Sequence, residues 1–325
     1  MIFSASEVLP LARETGYKSE LIEKVLHLLR LLNALNTHPY LKYKWVLKGG
    51  TALNLFKQEL PRLSVDIDLN YVSALDREIM LSEKPVFEEA IQAVCSREGF
   101  NVRRAPVEHA GGKWRLNYQS YTGQSGNLEI DLNYMFRQPL WESKPSDSYL
   151  LGSIKATNIP VLDIHEIAAG KLAALLSRGQ ARDLFDSHWL LKSESLVSDK
   201  LRLAFVVYGG MNRNDWRNVT VDNISFEPAE LAQQLLPTLK AGTAEKYGAP
   251  ADYGRHLIKE CKENMSSVLP LTASEKAFLD LLLDQGIIDP TLLTDDPLLQ
   301  KRIKNQPLLQ WKAHNVRKHK GLPEN

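Results

Sequence analysis

KGGTALNLFKQELPRLSVDIDLN, residues 48–70, reads as the end of a strand, a Gly-Gly turn, a helix, a short link and a second strand. Glycine supplies the backbone freedom a tight turn needs, and TALNLFKQ has helical apolar spacing. LSVDIDLNYV alternates apolar and polar side chains from about Ser64 to Val72, as a half-buried strand does. Two residues apart on that strand, Asp66 and Asp68 share one face while Ile67 and Leu69 take the other. Carboxylates held so close repel unless something cationic lies between them. Hard divalent ions with oxygen ligands, Mg²⁺ above all and Mn²⁺ as a substitute, suit the pair. The free N–H groups where the helix begins favour phosphate oxygens, and the Thr51 hydroxyl could add to that cradle. Taken singly, two such acids are more often surface carboxylates and a Gly-Gly is more often a plain turn. Their order, with 15 residues between Gly50 and Asp66, points instead to phosphoryl or nucleotidyl transfer.

Working outward, NLEIDLNYMF (127–136) is a strand with Glu129 and Asp131 in the same alternation. Asp131 repeats the apolar-Asp-apolar setting of Asp66 and is the candidate third carboxylate. Glu129 shares its face and is the reserve, and solvent-facing hairpin acids are the plain alternative. FNVRRAPVE (100–108) and KWRLNYQSY (113–121) are further strands, the latter joined to the next by the hairpin-like TGQSG (122–126). Helices are expected at 19–35, with Ser19 as N-cap, and at 84–98. Beyond Pro160 the pattern turns helical. Asp163 and Glu166 stand in capping-box positions, Gly179 is placed to end that helix, and 181–191, 228–240 and 272–285 continue the helical spacing. The expectation is an α/β (α+β) fold with a mixed sheet and N-terminal helices over 1–158, then a mainly helical half over 159–325.

Composition restricts the remaining classes. Forty basic against 39 acidic residues give a net charge of +1, so a nucleic-acid surface has to be a local patch. Cys95 and Cys261 match no zinc spacing or disulfide framework, and no apolar run reaches the roughly 20 residues a membrane span needs. The N-terminus lacks the basic flank and apolar block of a signal peptide. A cytoplasmic protein without a membrane partner is expected. His165, His188 and His256 show no metal or triad spacing and are given no chemistry.

A Gly-Gly turn followed by alternating acids matches the polymerase-β nucleotidyltransferase superfamily. KGGTALNLF with PRLSVDIDL, together with KLAALLSRGQARDLFD at 171–186, resembles the AbiEii/AbiGii family of nucleotidyltransferase toxins. Those toxins belong to abortive-infection toxin–antitoxin pairs. The resemblance implies that Lys48, Gly49, Gly50 and Thr51 hold a nucleoside triphosphate, with Arg62 and Ser64 supporting the phosphates or the strand entry. It implies two metal ions at Asp66, Asp68 and Asp131, and a second functional block of Lys171, Arg178, Arg182, Asp183 and Asp186. Read independently, Lys171 and Arg178 share a helical face and could offset phosphate charge, as could Arg182. Arg182 is as well placed to pair with Asp186, and a solvated face would explain the cations too. Lys171 is the stronger candidate because its run, AAGKLAALL, is otherwise apolar.

Related toxins imply the 3′ end of tRNA as acceptor and an antitoxin as partner. The alternatives are modification of a protein or small-molecule hydroxyl, or a non-enzymatic nucleotide- or partner-binding module. The acid-free run at 300–320 carries Lys301, Arg302, Lys304, Lys312, Arg317 and Lys318 around Trp311. It is a candidate RNA grip, with a solvated end as its alternative.

Overall fold

Alternation along the acid-bearing strands builds the sheet on which the site sits. The computed structural model describes residues 2–106 and 110–323, which fall into two compact units. Unit 1 comprises Met1–Arg137, Ser143–Leu162 and Pro237–Lys246. Its elements are α1 (Ala5–Thr15), α2 (Ser19–Thr37), β1 (Trp45–Lys48), α3 (Gly49–Ala52), β2 (Asp66–Tyr71), α4 (Arg77–Arg97), β3 (Asn101–Arg104), β4 (Gly111–Gln119), β5 (Ser125–Asn133), β6 (Lys144–Ser146) and β7 (Ile159–Val161). The strands form one mixed sheet in the order β3-β4-β5-β2-β1-β7-β6. β2 runs antiparallel to β1 and parallel to β5. Ile67, Leu69, Ile130 and Leu132 are fully buried, so the acids between them occupy the opposite face. α2 lies against β5 and β7 and buries Ile22, Val25, Leu28, Leu31 and Leu32.

Several local details depart from the sequence reading. Ser19 is the first residue of α2, and the cap position belongs to Lys18. α4 begins seven residues before the expected 84, where the Asp76 side chain accepts the Ile79 N–H at 2.9 Å. Val107 and Glu108, at the end of the strand expected over 100–108, lie outside the described residues. β6 and β7 are three residues each, too short to show a period. Residues 237–246 return to pair with the link before β2: Leu63 N–H donates to Thr238 O, and Lys240 N–H to Pro61 O, both at 3.0 Å.

Unit 2 comprises Gln138–Glu142, Asp163–Leu236 and Tyr247–Asn325. Its described elements are α5 (Ile164–Arg178), α6 (Ala181–Leu191), α7 (Ser198–Gly210), the single turn α8 (Pro228–Glu230), α9 (Pro250–Asn264), α10 (Ala273–Asp280), α11 (Pro297–Lys304) and α12 (Pro307–Lys320), with short 3-10 and π turns between them. Gly179 ends α5 in the left-handed conformation, its N–H bonded to Leu175 O. No helix among the described residues is long and apolar enough to cross a membrane.

The capping box expected at Asp163 and Glu166 is only half formed. Asp163 accepts the His165 N–H at 2.9 Å. Glu166 instead turns away from its own helix start and accepts from Leu140 N–H at 3.0 Å, Trp141 N–H at 3.2 Å and the Tyr208 hydroxyl at 3.1 Å. Burial pushes its carboxyl up to about 7, against the lowering effect of those hydrogen bonds. A group whose folded pKa exceeds its unfolded value near 4.5 contributes stability fully present below that value. The contribution is lost as pH rises through about 7. Unfolding free energy from denaturant titrations should therefore decline from pH 4.5 to above 7, and Glu166→Gln should flatten that part of the profile. An unaltered profile in the variant would remove Glu166 as the source.

Candidate active site

Two glycines bring a helix start against an acidic strand. Gly49 adopts φ +70°, and a Cβ there would lie 2.0 Å from Asp68 Oδ2. A Cβ on Gly50 would lie 2.8 Å from Ser64 Oγ and 3.0 Å from Arg62 Nη2. Arg62 and Ser64 are both buried, and Arg62 Nη1 donates to Leu63 O at 3.3 Å. The turn is thus packed against Asp68 on one side and against a buried cation and hydroxyl on the other. Lys48, the last residue of β1, is half-buried, with its ammonium 5.7 Å from the Phe136 ring centre. Thr51 departs from expectation. It is fully buried, and its hydroxyl donates to the backbone oxygen of Asp66 at 2.5 Å. That hydroxyl ties α3 to β2 and is not presented to a phosphate.

Strand register assembles the acids. Asp66 stands opposite Glu129, and Asp68 opposite Asp131, across the parallel β2–β5 pair. With strands about 4.8 Å apart, four carboxylates form a two-by-two patch on one face. β4 extends both rows with cations, placing Arg115 opposite Glu129 and Lys113 opposite Asp131. Lys113 Nζ meets Glu129 at 2.8 Å and Arg115 Nε meets it at 3.4 Å. Partial burial would raise the Glu129 carboxyl, but the Lys113 hydrogen bond and the charges of Lys113, Arg115 and Lys24 hold it below the ordinary range. Glu129 is therefore committed to cations. Asp131 enters no ion pair among the described residues, and it is the better placed of the two to bind a metal.

A mixed sheet carrying paired acids beside a glycine-led helix is the fold of a nucleotidyltransferase. The solved structure of the nucleotidyltransferase toxin MenT4 from Mycobacterium tuberculosis is similar in fold, with a TM-score of 0.60 at 17% identity, covering 93% of this chain and 98% of that one. The family model described as "Nucleotidyl transferase AbiEii toxin, Type IV TA system" matches residues 30–283. The chain belongs to that family, and it is a nucleotidyltransferase toxin of a type IV toxin–antitoxin system. An antitoxin partner and a nucleoside triphosphate substrate come with that membership. No curated protein matches the sequence.

The second family block forms an ion network within unit 2. Lys171 Nζ lies 3.2 Å from Asp183 Oδ1 and 2.8 Å from Asp186 Oδ2. Arg178 Nε donates to Asp183 Oδ2 at 2.8 Å while its side chain stays half exposed. Asp183 and Asp186 are both buried, so Lys171 bridges two carboxylates that water cannot reach, and Arg178 supplies a second positive charge to Asp183. Arg182 also has a partner of its own. Any nucleotide role for these residues would have to draw on this network and not on a bare lysine.

The basic run likewise differs from its reading as a chain end, since it forms α11 and α12. Arg302 Nη1 donates to Leu140 O at 3.1 Å, Lys312 Nζ donates to Asn212 O, and Arg317 Nη1 donates to Gly286 O at 2.5 Å. Burial lowers the Lys312 pKa. These three serve the helical packing, while Lys301, Lys304, Lys318 and Trp311 are exposed.

One cluster escaped the sequence reading. His188, His256 and Glu260 converge, with Glu260 also bonded to Lys192. The four-residue spacing of His256 and Glu260 on α9 was the available signal. The Lys192 hydrogen bond, followed by that of His188, holds the Glu260 carboxyl down at about 2, so its charge is already matched.

Gly49→Ala should abolish transfer, because the new methyl displaces Asp68, and should cost more than about 1 kcal/mol of stability at a positive φ. A variant with normal transfer would show that Asp68 can move without consequence. Lys171→Ala should destabilise by about 3–5 kcal/mol, the cost of breaking a buried ion pair. Denaturant unfolding decides this: normal stability with a raised Michaelis constant for nucleotide would make Lys171 a phosphate ligand instead.

Proposed function

We propose that the protein transfers a nucleoside monophosphate from a nucleoside triphosphate to the 3′-terminal hydroxyl of tRNA, with two Mg²⁺ ions that Mn²⁺ can replace. The observation that carries this reading is the two-by-two carboxylate patch beside the glycine turn. Asp66, Asp68 and Asp131 would hold the ions, and the patch offers only carboxylate oxygens, the donor set hard divalent ions take. Bound there, the ions would supply Lewis-acid polarisation of the phosphoryl oxygens and offset their charge. The chain's own residues do the rest. Gly49 and Gly50 let the triphosphate approach the N–H groups that open α3, with positive charge from Lys48 and Arg62 and a hydroxyl from Ser64 close by. Asp131 is suited to accept the proton of the attacking hydroxyl. That oxygen bonds to the α-phosphorus as the bond to pyrophosphate breaks, and no covalent enzyme intermediate forms.

The choice of acceptor rests on the toxin family, since capping the 3′ end of tRNA blocks aminoacylation and stops growth. Two free, buried cysteines agree with a reducing cytoplasm, where tRNA and an antitoxin would be met. The test is incubation with total RNA and each labelled triphosphate in Mg²⁺, followed by sizing of the products. A labelled tRNA-sized band should appear and fall by orders of magnitude in Asp68→Asn, which should keep its fold. Labelled protein without labelled RNA would replace this reading with modification of a protein hydroxyl.

A further inference from the structure

A cavity of about 290 Å³ opens beside Asp66, lined among others by Lys24, Arg103, Arg115, Asn127 and Glu129. No residue of β1 or α3 lines it, so it lies on the β5–β4 flank of the acids, across β2 from the glycine turn. We infer that this cavity binds a backbone phosphate of the acceptor RNA, held by Lys24 and Arg103. The inference rests on the reading of the protein as an RNA-directed transferase.

Three observations support it. Attacking and leaving oxygens stand roughly in line in phosphoryl transfer. With the triphosphate on the β1 side, the acceptor has to enter from the β5 side, where this cavity is. Charge points the same way. Glu129 is already paired with Lys113 and Arg115, whereas Lys24 Nζ bonds the neutral amide oxygen of Asn127 at 2.6 Å. Neither Lys24 nor Arg103 forms an ion pair among the described residues. Lys24 acts on Glu129 through its charge alone, without the direct contact that Lys113 and Arg115 make with it. Finally, the volume lies just below the roughly 300–1,000 Å³ range of small-molecule sites, which suits one sugar-phosphate unit better than a whole nucleoside triphosphate.

The experiment compares the wild type with Lys24→Gln/Arg103→Gln and with the charge-keeping Lys24→Arg/Arg103→Lys. RNA binding is read by fluorescence anisotropy across a salt series, with EDTA present and no nucleotide, and transfer is read separately. The neutral pair should weaken RNA binding at least tenfold. It should also lower the log–log salt slope by about 0.7 for each phosphate no longer neutralised on a single strand, while the Michaelis constant for the triphosphate stays within twofold. The charge-keeping pair should restore most of the binding. Unchanged RNA affinity and slope in a neutral pair of wild-type thermal stability would overturn the subsite while leaving RNA transfer intact. A raised Michaelis constant for nucleotide alone would assign the cavity to the triphosphate and overturn it as well. If the wild type labels protein and never RNA, the functional reading itself fails, and the subsite with it.

Discussion

Asp66, Asp68, Glu129 and Asp131 are pressed together by strand register, and their mutual repulsion is the constraint around which unit 1 is arranged. Two like charges 4 Å apart at an effective dielectric near 20 oppose each other by about 4 kcal/mol. The sheet offsets this from its other face, where Ile67, Leu69, Ile130 and Leu132 are wholly buried, each such side chain contributing about 1.5–3 kcal/mol. It also offsets it laterally, since β4 supplies Lys113 and Arg115 in register with the acids. What survives of the repulsion is a standing preference for a cation at the patch. Gly49 keeps that patch in place, because Asp68 occupies the space any larger residue would need.

The parts of this site that depend on local chemistry were legible in the sequence. A period of two puts Asp66 with Asp68 and Glu129 with Asp131 on any strand, and a Gly-Gly before a helical pattern marks a turn. Which of the second pair is free for a metal was not legible. It depends on Lys113 and Arg115 falling opposite β5, which the hairpin register decides. Thr51 shows the same limit. A hydroxyl next to a glycine turn suggests a phosphate, and only the packing of α3 on β2 directs it to Asp66 O. Residues 237–246 carry no local signal for their return beside 61–63, because that pairing spans most of the chain.

Unit 2 shows that an apolar run with a single cation can also answer to packing. Lys171 in AAGKLAALL suggests function, since a charge buried without a purpose is costly. The structure gives it a structural purpose in Asp183 and Asp186 on α6. The spacing of the second family block is therefore the spacing of a helix-to-helix ion network. Glu166 follows the same logic, as a buried acid satisfied by the 138–142 segment and Tyr208 where a cap was expected.

With RNA as the proposed acceptor, two polyanions would have to come within bonding distance of each other, and the flanks of the acid patch would answer that need differently. On the β1 side the groups offered are backbone N–H and a buried guanidinium, which would suit one compact triphosphate. On the β4 side they are the cations of the cavity outside the Glu129 pairing, Lys24 and Arg103, which would suit an extended backbone of variable path. Placing these two kinds of contact on opposite edges of β2 and β5 separates the anions by the width of the acid patch. The charge that each substrate brings would then be met by its own flank before the two approach, and neither would have to displace the other's counterions to react.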